Sequence, residues 1–156
     1  MLLYRITHKK VSSSLFAPGI EGRWNSAGRK VIYASESVSL AFLESMIRRK
    51  GAGFNDDFRT LIIEVPDSTK TTNMDVSDLP IDWRSFQDYS RCQLIGDSWY
   101  QENKTLLLKV PSAVLPDEHN YVINTQHREF DQVKLLKTIE LVPDERIEDI
   151  LRKYRK

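Results

Sequence analysis

A single cysteine, Cys92, stands in the 156 residues, so no disulfide can form within the chain. A reducing compartment is the expected setting, and Cys92 reads as a small buried residue. The three histidines, His8, His119 and His127, are far apart and have no cysteine beside them. That spacing does not describe a metal site. No stretch approaches the ~20 apolar residues of a membrane span, and residues 1–5 carry no apolar run of signal-peptide length. The expected protein is soluble and cytoplasmic. The formal charge is +1, too small to call for nucleic acid or an anionic membrane as partner. Glycine-rich phosphate loops of the Rossmann or P-loop kind are missing, and so is a G-x-S-x-G nucleophile turn.

What remains is a chain with 40% apolar and 29% charged residues, which suits one globular domain over residues 1–156. Leu2 to Thr7 alternates and reads as a strand. Lys30 to Ala34 is a short β-branched run, and Arg59 to Val65 alternates up to Pro66. Between the last two, Ser35 is placed to cap a helix that runs through Arg49 to Gly51, with Leu40, Leu43, Met46 and Ile47 as its core stripe. Residues 66–80 are polar and read as a long connection. Asp82 to Tyr100 reads as a helix broken near Gly96. Strands are expected at Lys104 to Val110, Tyr121 to Ile123 and Val133 to Leu141. A last helix is expected with Pro143 in its first turn and Ile147, Ile150, Leu151 and Tyr154 on one side. This order gives an α+β fold with mixed, largely antiparallel sheets and flanking helices.

Four side chains stand out, each with an ordinary explanation beside a chemical one. Glu44 borders the helix stripe, where it could pair with Arg48 at i+4 or face a site. Arg23 follows Gly22 in a loop and is either a surface residue or an anion clamp. Tyr33 is a strand tyrosine with its hydroxyl at the edge of the core. Ser112 follows Pro111 and, taken alone, is turn chemistry.

Together these residues lie in blocks of known order. Gly22-Arg23-Trp24-Asn25-x-x-Gly28, Val31-Ile32-Tyr33-Ala34 and Ser39-Leu40-Ala41-x-Leu43-Glu44 come first. Gly96-Asp97-Ser98-Trp99, Leu108-Lys109-Val110-Pro111-Ser112-Ala113-Val114 and Asn120-Tyr121-Val122-Ile123-Asn124-x-x-His127 follow. The chain resembles the RES domain family over almost its whole length, and Asp144-Glu145-Arg146-Ile147 is similar to that family's ending. The departures fall in loops: Glu21 for a glycine, Ser26 and Ala27 for prolines, and Thr125-Gln126-His127-Arg128 for a proline-containing turn.

The resemblance implies a toxin of a bacterial toxin–antitoxin pair, ADP-ribosyltransferase-like in fold, that consumes NAD+ as substrate without a further cofactor. It implies an Xre-like, mostly helical antitoxin that covers the NAD+ pocket. It also implies catalytic roles for Arg23, Tyr33, Glu44 and Ser112, with Arg23, Trp24, Asn25, Tyr33 and Ser112 binding the dinucleotide. The residue types suit that chemistry. Cleaving the nicotinamide–ribose bond builds positive charge on the ribose, which a carboxylate such as Glu44 stabilises. Nicotinamide leaves neutral, so no paired acid is needed. Arg23 is expected on the pyrophosphate, Tyr33 on nicotinamide or ribose, Ser112 at the pocket wall, and Trp24 and Asn25 at the rim. Asn124 and His127 are expected to brace loops. Water, inorganic phosphate and a protein side chain stay open as acceptors of ADP-ribose, and a homo-oligomer stays open as the assembly. A non-catalytic module that binds a nucleotide or a partner helix is the competing reading. Such a module would need Arg23 and Trp24 but not Glu44.

Overall fold

The computed structural model describes residues 1–50, 54 and 56–153. Among these lie seven strands: β1 Leu2–His8, β2 Val31–Ser35, β3 Phe58–Glu64, β4 Thr71–Asn73, β5 Leu107–Pro111, β6 His119–Asn124 and β7 Lys134–Glu140. Three α-helices accompany them: α1 Val38–Arg48, α2 Ser90–Glu102 and α3 Glu145–Lys153. All seven strands join one sheet in the order β4-β5-β6-β2-β1-β3-β7. Every pairing is antiparallel except β4 with β5. The fold is therefore α+β with a mixed, largely antiparallel sheet.

Alternation sorts the strand side chains onto two faces. On one face Leu3, Ile32, Ala34, Leu61, Ile63, Leu107 and Ile123 form a core. Leu15, Ala17 and Phe130, from irregular segments, cover it. The other face carries both long helices. Val31, Leu108, Val110 and Val122 pack with Cys92 and Trp99 of α2, and Ile6 packs with Ala41 of α1. Strand pairing sets Tyr33 beside Val122 and Ser35 beside Asn120. Those side chains floor the space between the two helices.

Several local expectations change. Ser37, not Ser35, caps α1, its hydroxyl accepting from the Leu40 N–H; Ser35 is the last residue of β2. The expected stop at Gly51 lies outside the described residues. The residues that α1 buries are Leu40, Ala41 and Ser45, while Ile47 is 59% exposed. The stripe is thus rotated from the one that hydrophobicity suggests, and Glu44, at i+3 from Ala41 and i+4 from Leu40, falls inside the inward arc. The polar stretch 66–80 holds the short strand β4, joined to the sheet by the parallel pairing of Thr71, Thr72 and Asn73 with residues 107–109. The aromatic stretch begins as turns and becomes helix only at Ser90.

Helix α2 runs unbroken through Gly96, and the reason is a close approach. A Cβ there would sit 1.8 Å from the Trp24 carbonyl oxygen. Glycine lets the 22–29 loop lie directly on the helix backbone. In the final segment Asp144 receives the Arg146 N–H, so Pro143 precedes the helix and does not lie in its first turn.

Candidate functional site

Glu44 projects from α1 toward the β5 and β6 end of the helix-bearing face. Its Oε1 accepts a hydrogen bond from the Ser112 hydroxyl (2.7 Å) and another from the Asn120 side-chain amide. Both donors are themselves held. The Ser112 Oγ accepts from the backbone N–H groups of Val114 (3.1 Å) and Leu115 (3.0 Å). Its only proton is therefore directed at the carboxylate. Asn120 is oriented by the Ser35 hydroxyl, which donates to its Oδ1 (2.6 Å). Ser112 is fully buried and Glu44 partly so. Both donors converge on one carboxylate oxygen, and the described residues offer no hydrogen bond to the other. The Glu44–Arg48 pair that i+4 spacing allows is not among the ion pairs of the described residues.

The second cluster is the 22–29 loop. The Tyr33 hydroxyl donates to Asn25 Oδ1 (2.6 Å) and accepts from the Trp24 N–H (3.0 Å). Asn25 also donates to the carbonyls of Ile20 and Ser26. Trp24 and Asn25 are 3% and 1% exposed. Neither lines a rim, as the sequence suggested: the indole completes the core under α2 and the amide closes the loop on itself. From α2, Gln93 donates to the carbonyls of Gly22 and Asn25. Asp97 receives the Ser26 N–H and hydroxyl and pairs with Arg29 at 3.5 Å. Burial pushes the Tyr33 phenol well above its ordinary range, against the opposing pull of the Trp24 N–H and the charges of Arg23 and Arg48. Tyr33 is thus a neutral brace whose hydroxyl is used in both directions.

Arg23 bridges to a third segment. Its Nη1 donates to the carbonyls of Trp83 and Ser85 (2.8 Å for the latter), and its Nη2 to that of Arg84 (3.3 Å). The guanidinium also lies over the Tyr89 ring, 4.5 Å from its centroid. A fork expected on a pyrophosphate instead holds residues 83–85 against the 22–25 loop. The same segment reaches the first cluster, because Arg84 Nε donates to the Ala113 carbonyl (3.0 Å), one residue past Ser112. Arg23 and Glu44 are not in contact. They are joined through Arg84 and the turn after β5.

Asn120 and Arg84 were not singled out from sequence. Asn120 had a usable signal, since it alternates with Val122 and Asn124 onto the face that carries Tyr33. An arginine in an irregular stretch offers none. Asn124 and His127 close turns: Asn124 receives the Gln126 N–H and donates to Asn103 Oδ1, and His127 Nδ1 receives the Glu129 N–H. Among the described residues no group of three or more His, Cys, Asp or Glu side chains is placed to hold a metal, and no helix is long and apolar enough to cross a membrane. A wide apolar groove of about 530 Å³ lies away from Glu44, on the other flank of α1, between Phe42, Leu43 and Met46 and the α3 residues Ile147 and Ile150.

Comparison with known proteins bears on the chain as a whole. The RES domain family model matches residues 2–146. A protein named "Toxin Res" from Photorhabdus laumondii is 32% identical over 152 residues, covering 94% of this chain and 97% of that one. A protein named "Prs ADP-ribosylating toxin" from Sphingobium sp. is 32% identical over 129 residues, covering 81% of this chain and 80% of that one. Among solved structures, the M. tuberculosis MbcT–MbcA toxin–antitoxin complex contains a chain with the same fold. Its TM-score is 0.74 at 20% identity, with 99% of this chain and 88% of that chain covered.

Proposed function

The chain belongs to the RES domain family, and on that premise we propose that it is the toxin of a bacterial toxin–antitoxin pair that consumes NAD+ by cleaving the nicotinamide–ribose bond. The observation that carries the proposal is the carboxylate of Glu44. Ser112 and Asn120 hold one oxygen, which fixes the plane of the group and leaves the other oxygen for a ligand. An oriented carboxylate beside a ribose stabilises the oxocarbenium-like charge that develops as nicotinamide departs, and it needs no reorganisation at that moment. Ser112 acts as a positioning residue. Its proton is directed to Glu44 and its lone pairs are engaged by two backbone N–H groups, so it is not prepared as a nucleophile. Arg23, Tyr33, Trp24 and Asn25 shape the opposite wall by fixing the 22–29 loop, which precedes β2, against α2.

Hydrolysis and phosphorolysis use the same leaving-group step and differ in the species that attacks the ribose carbon. A second reading, transfer of ADP-ribose to a protein, draws support from the name of the Sphingobium relative. An Xre-like helical antitoxin as partner is part of the same proposal, in keeping with the antitoxin named in the MbcT–MbcA complex.

The test is to incubate the purified chain with NAD+ and follow released nicotinamide with and without inorganic phosphate, beside the Glu44→Gln protein. Release that depends on Glu44 is expected. Phosphate dependence separates the two acceptors, and label from NAD+ retained on protein separates transfer. Release at equal rates by both folded proteins would remove Glu44 from the chemistry.

A further inference from the structure

Resting on the NAD+ reading, we infer that Arg84 is the residue that grips the diphosphate of the dinucleotide. The cations near Glu44 differ in the hydrogen-bond donors they have left. Arg23 spends three of its five N–H donors on backbone carbonyls and its face on Tyr89, which holds it against residues 83–85. Arg29 is paired with Asp97, and Arg91 with Asp82. Arg84 makes one side-chain bond among the described residues, from Nε to the Ala113 carbonyl, and it has no acidic partner there. Arg84 is an exposed residue, and among the described residues no bond engages the opposite edge of its guanidinium, with one N–H from each Nη. That edge is the fork that matches two oxygens of a phosphate.

Its location suits the substrate. The bond to Ala113 fixes the guanidinium next to the turn whose serine orients Glu44. The Arg84 carbonyl is held by Arg23 from the other side. Residues 83–85 therefore cross from the 22–25 loop to the turn after β5. A dinucleotide whose nicotinamide ribose meets Glu44 carries its diphosphate on the 5′ carbon of that same ribose, within reach of this crossing. Arg48 is also without an ion pair among the described residues, but it stands one turn further along α1 and no hydrogen bond fixes it. Arg23 becomes, in this scheme, the residue that positions the strap bearing Arg84.

The experiment compares wild type with Arg84→Gln, Arg84→Lys and, as a surface-charge control, Arg91→Gln. It measures NAD+ turnover, and separately the affinity for ADP-ribose, which keeps the diphosphate but has no bond to cleave. Losing a charge-assisted fork predicts a rise in KM for NAD+ of roughly tenfold to a hundredfold in Arg84→Gln. The same factor is expected in ADP-ribose affinity, with kcat nearly unchanged. The loss shrinks at high salt, because screening weakens the contact in wild type. Arg84→Lys recovers part of it, and Arg91→Gln behaves as wild type. Unchanged KM and ADP-ribose affinity in folded Arg84→Gln would overturn the inference and leave NAD+ cleavage standing. ADP-ribose binding that depends on Arg84 in a protein that leaves NAD+ intact would do the reverse. A wild-type chain that binds no ADP-ribose overturns the inference as well.

Discussion

Helix α1 has two flanks of opposite character. On one flank Glu44 meets Ser112 and Asn120 in a chain of directed hydrogen bonds. On the other, Phe42, Leu43 and Met46 face Leu141, Pro143 and α3 across an apolar groove. The groove encloses about 530 Å³ and, Ser39 apart, is lined by apolar side chains. On the polar flank the Ser112 hydroxyl and the Asn120 amide are both directed at Glu44. Size marks where something can fit, and convergent polar groups mark where chemistry can occur. In this molecule the two criteria separate across a single helix.

The largest effect that would break the comparison is expected from Glu44→Gln. It should lower nicotinamide release by roughly 10²–10³-fold, the cost of removing one preorganised electrostatic group. The melting temperature should hardly move, because an amide keeps the shape. Nicotinamide release and thermal melting check the pair of outcomes. Next comes Gly96→Ala, which drives a methyl into the Trp24 carbonyl. Overpacking against backbone costs about 1–3 kcal/mol, measured by urea unfolding, and the polar flank should lose activity as the 22–29 loop shifts.

Tyr33→Phe has a smaller effect with a distinctive pH signature. The folded-state phenol is raised above its ordinary value of 10.0 by burial. Its contribution to stability is therefore complete below that value and is lost as the pH climbs past it. Wild type should lose stability above about pH 10, and Tyr33→Phe should lose less over that window. At neutral pH the variant costs about 1–3 kcal/mol, since Trp24 N–H and Asn25 Oδ1 lose their partner. Denaturant melts across pH follow both effects. The smallest change sharpens the comparison from the other flank. Leu43→Ser should cost at most about 1 kcal/mol and leave nicotinamide release as it was.

Much of the sheet is legible in the chain because alternation reports burial directly. Six strands follow β-branched or alternating runs, and each lies within a few residues of its expected place. The seventh, β4, is Thr71-Thr72-Asn73 at the sheet edge, where polar residues and a parallel partner leave no hydrophobic period. The stripe of α1 was misjudged for a different reason. Its groove flank is apolar too, so hydrophobicity could not tell a covered side from an open one. Glu44 and Ser112 were legible through family blocks, and the structure brings them into contact. The roles of Arg23 and Trp24 were not, because a loop residue's partners come from segments far off in sequence. Trp83 lies 60 residues from Arg23.

Where Gly96 meets Trp24, two main chains touch with no side chain between them. Peptide geometry is stiff and has no rotamers to spend, so on that side the distance between helix and loop acts as a fixed gauge. In the proposed site, adjustment to a ligand therefore falls to the turns at 83–85 and 112–118, which side chains hold. Tuning of this cleft for one molecule over another should accumulate there.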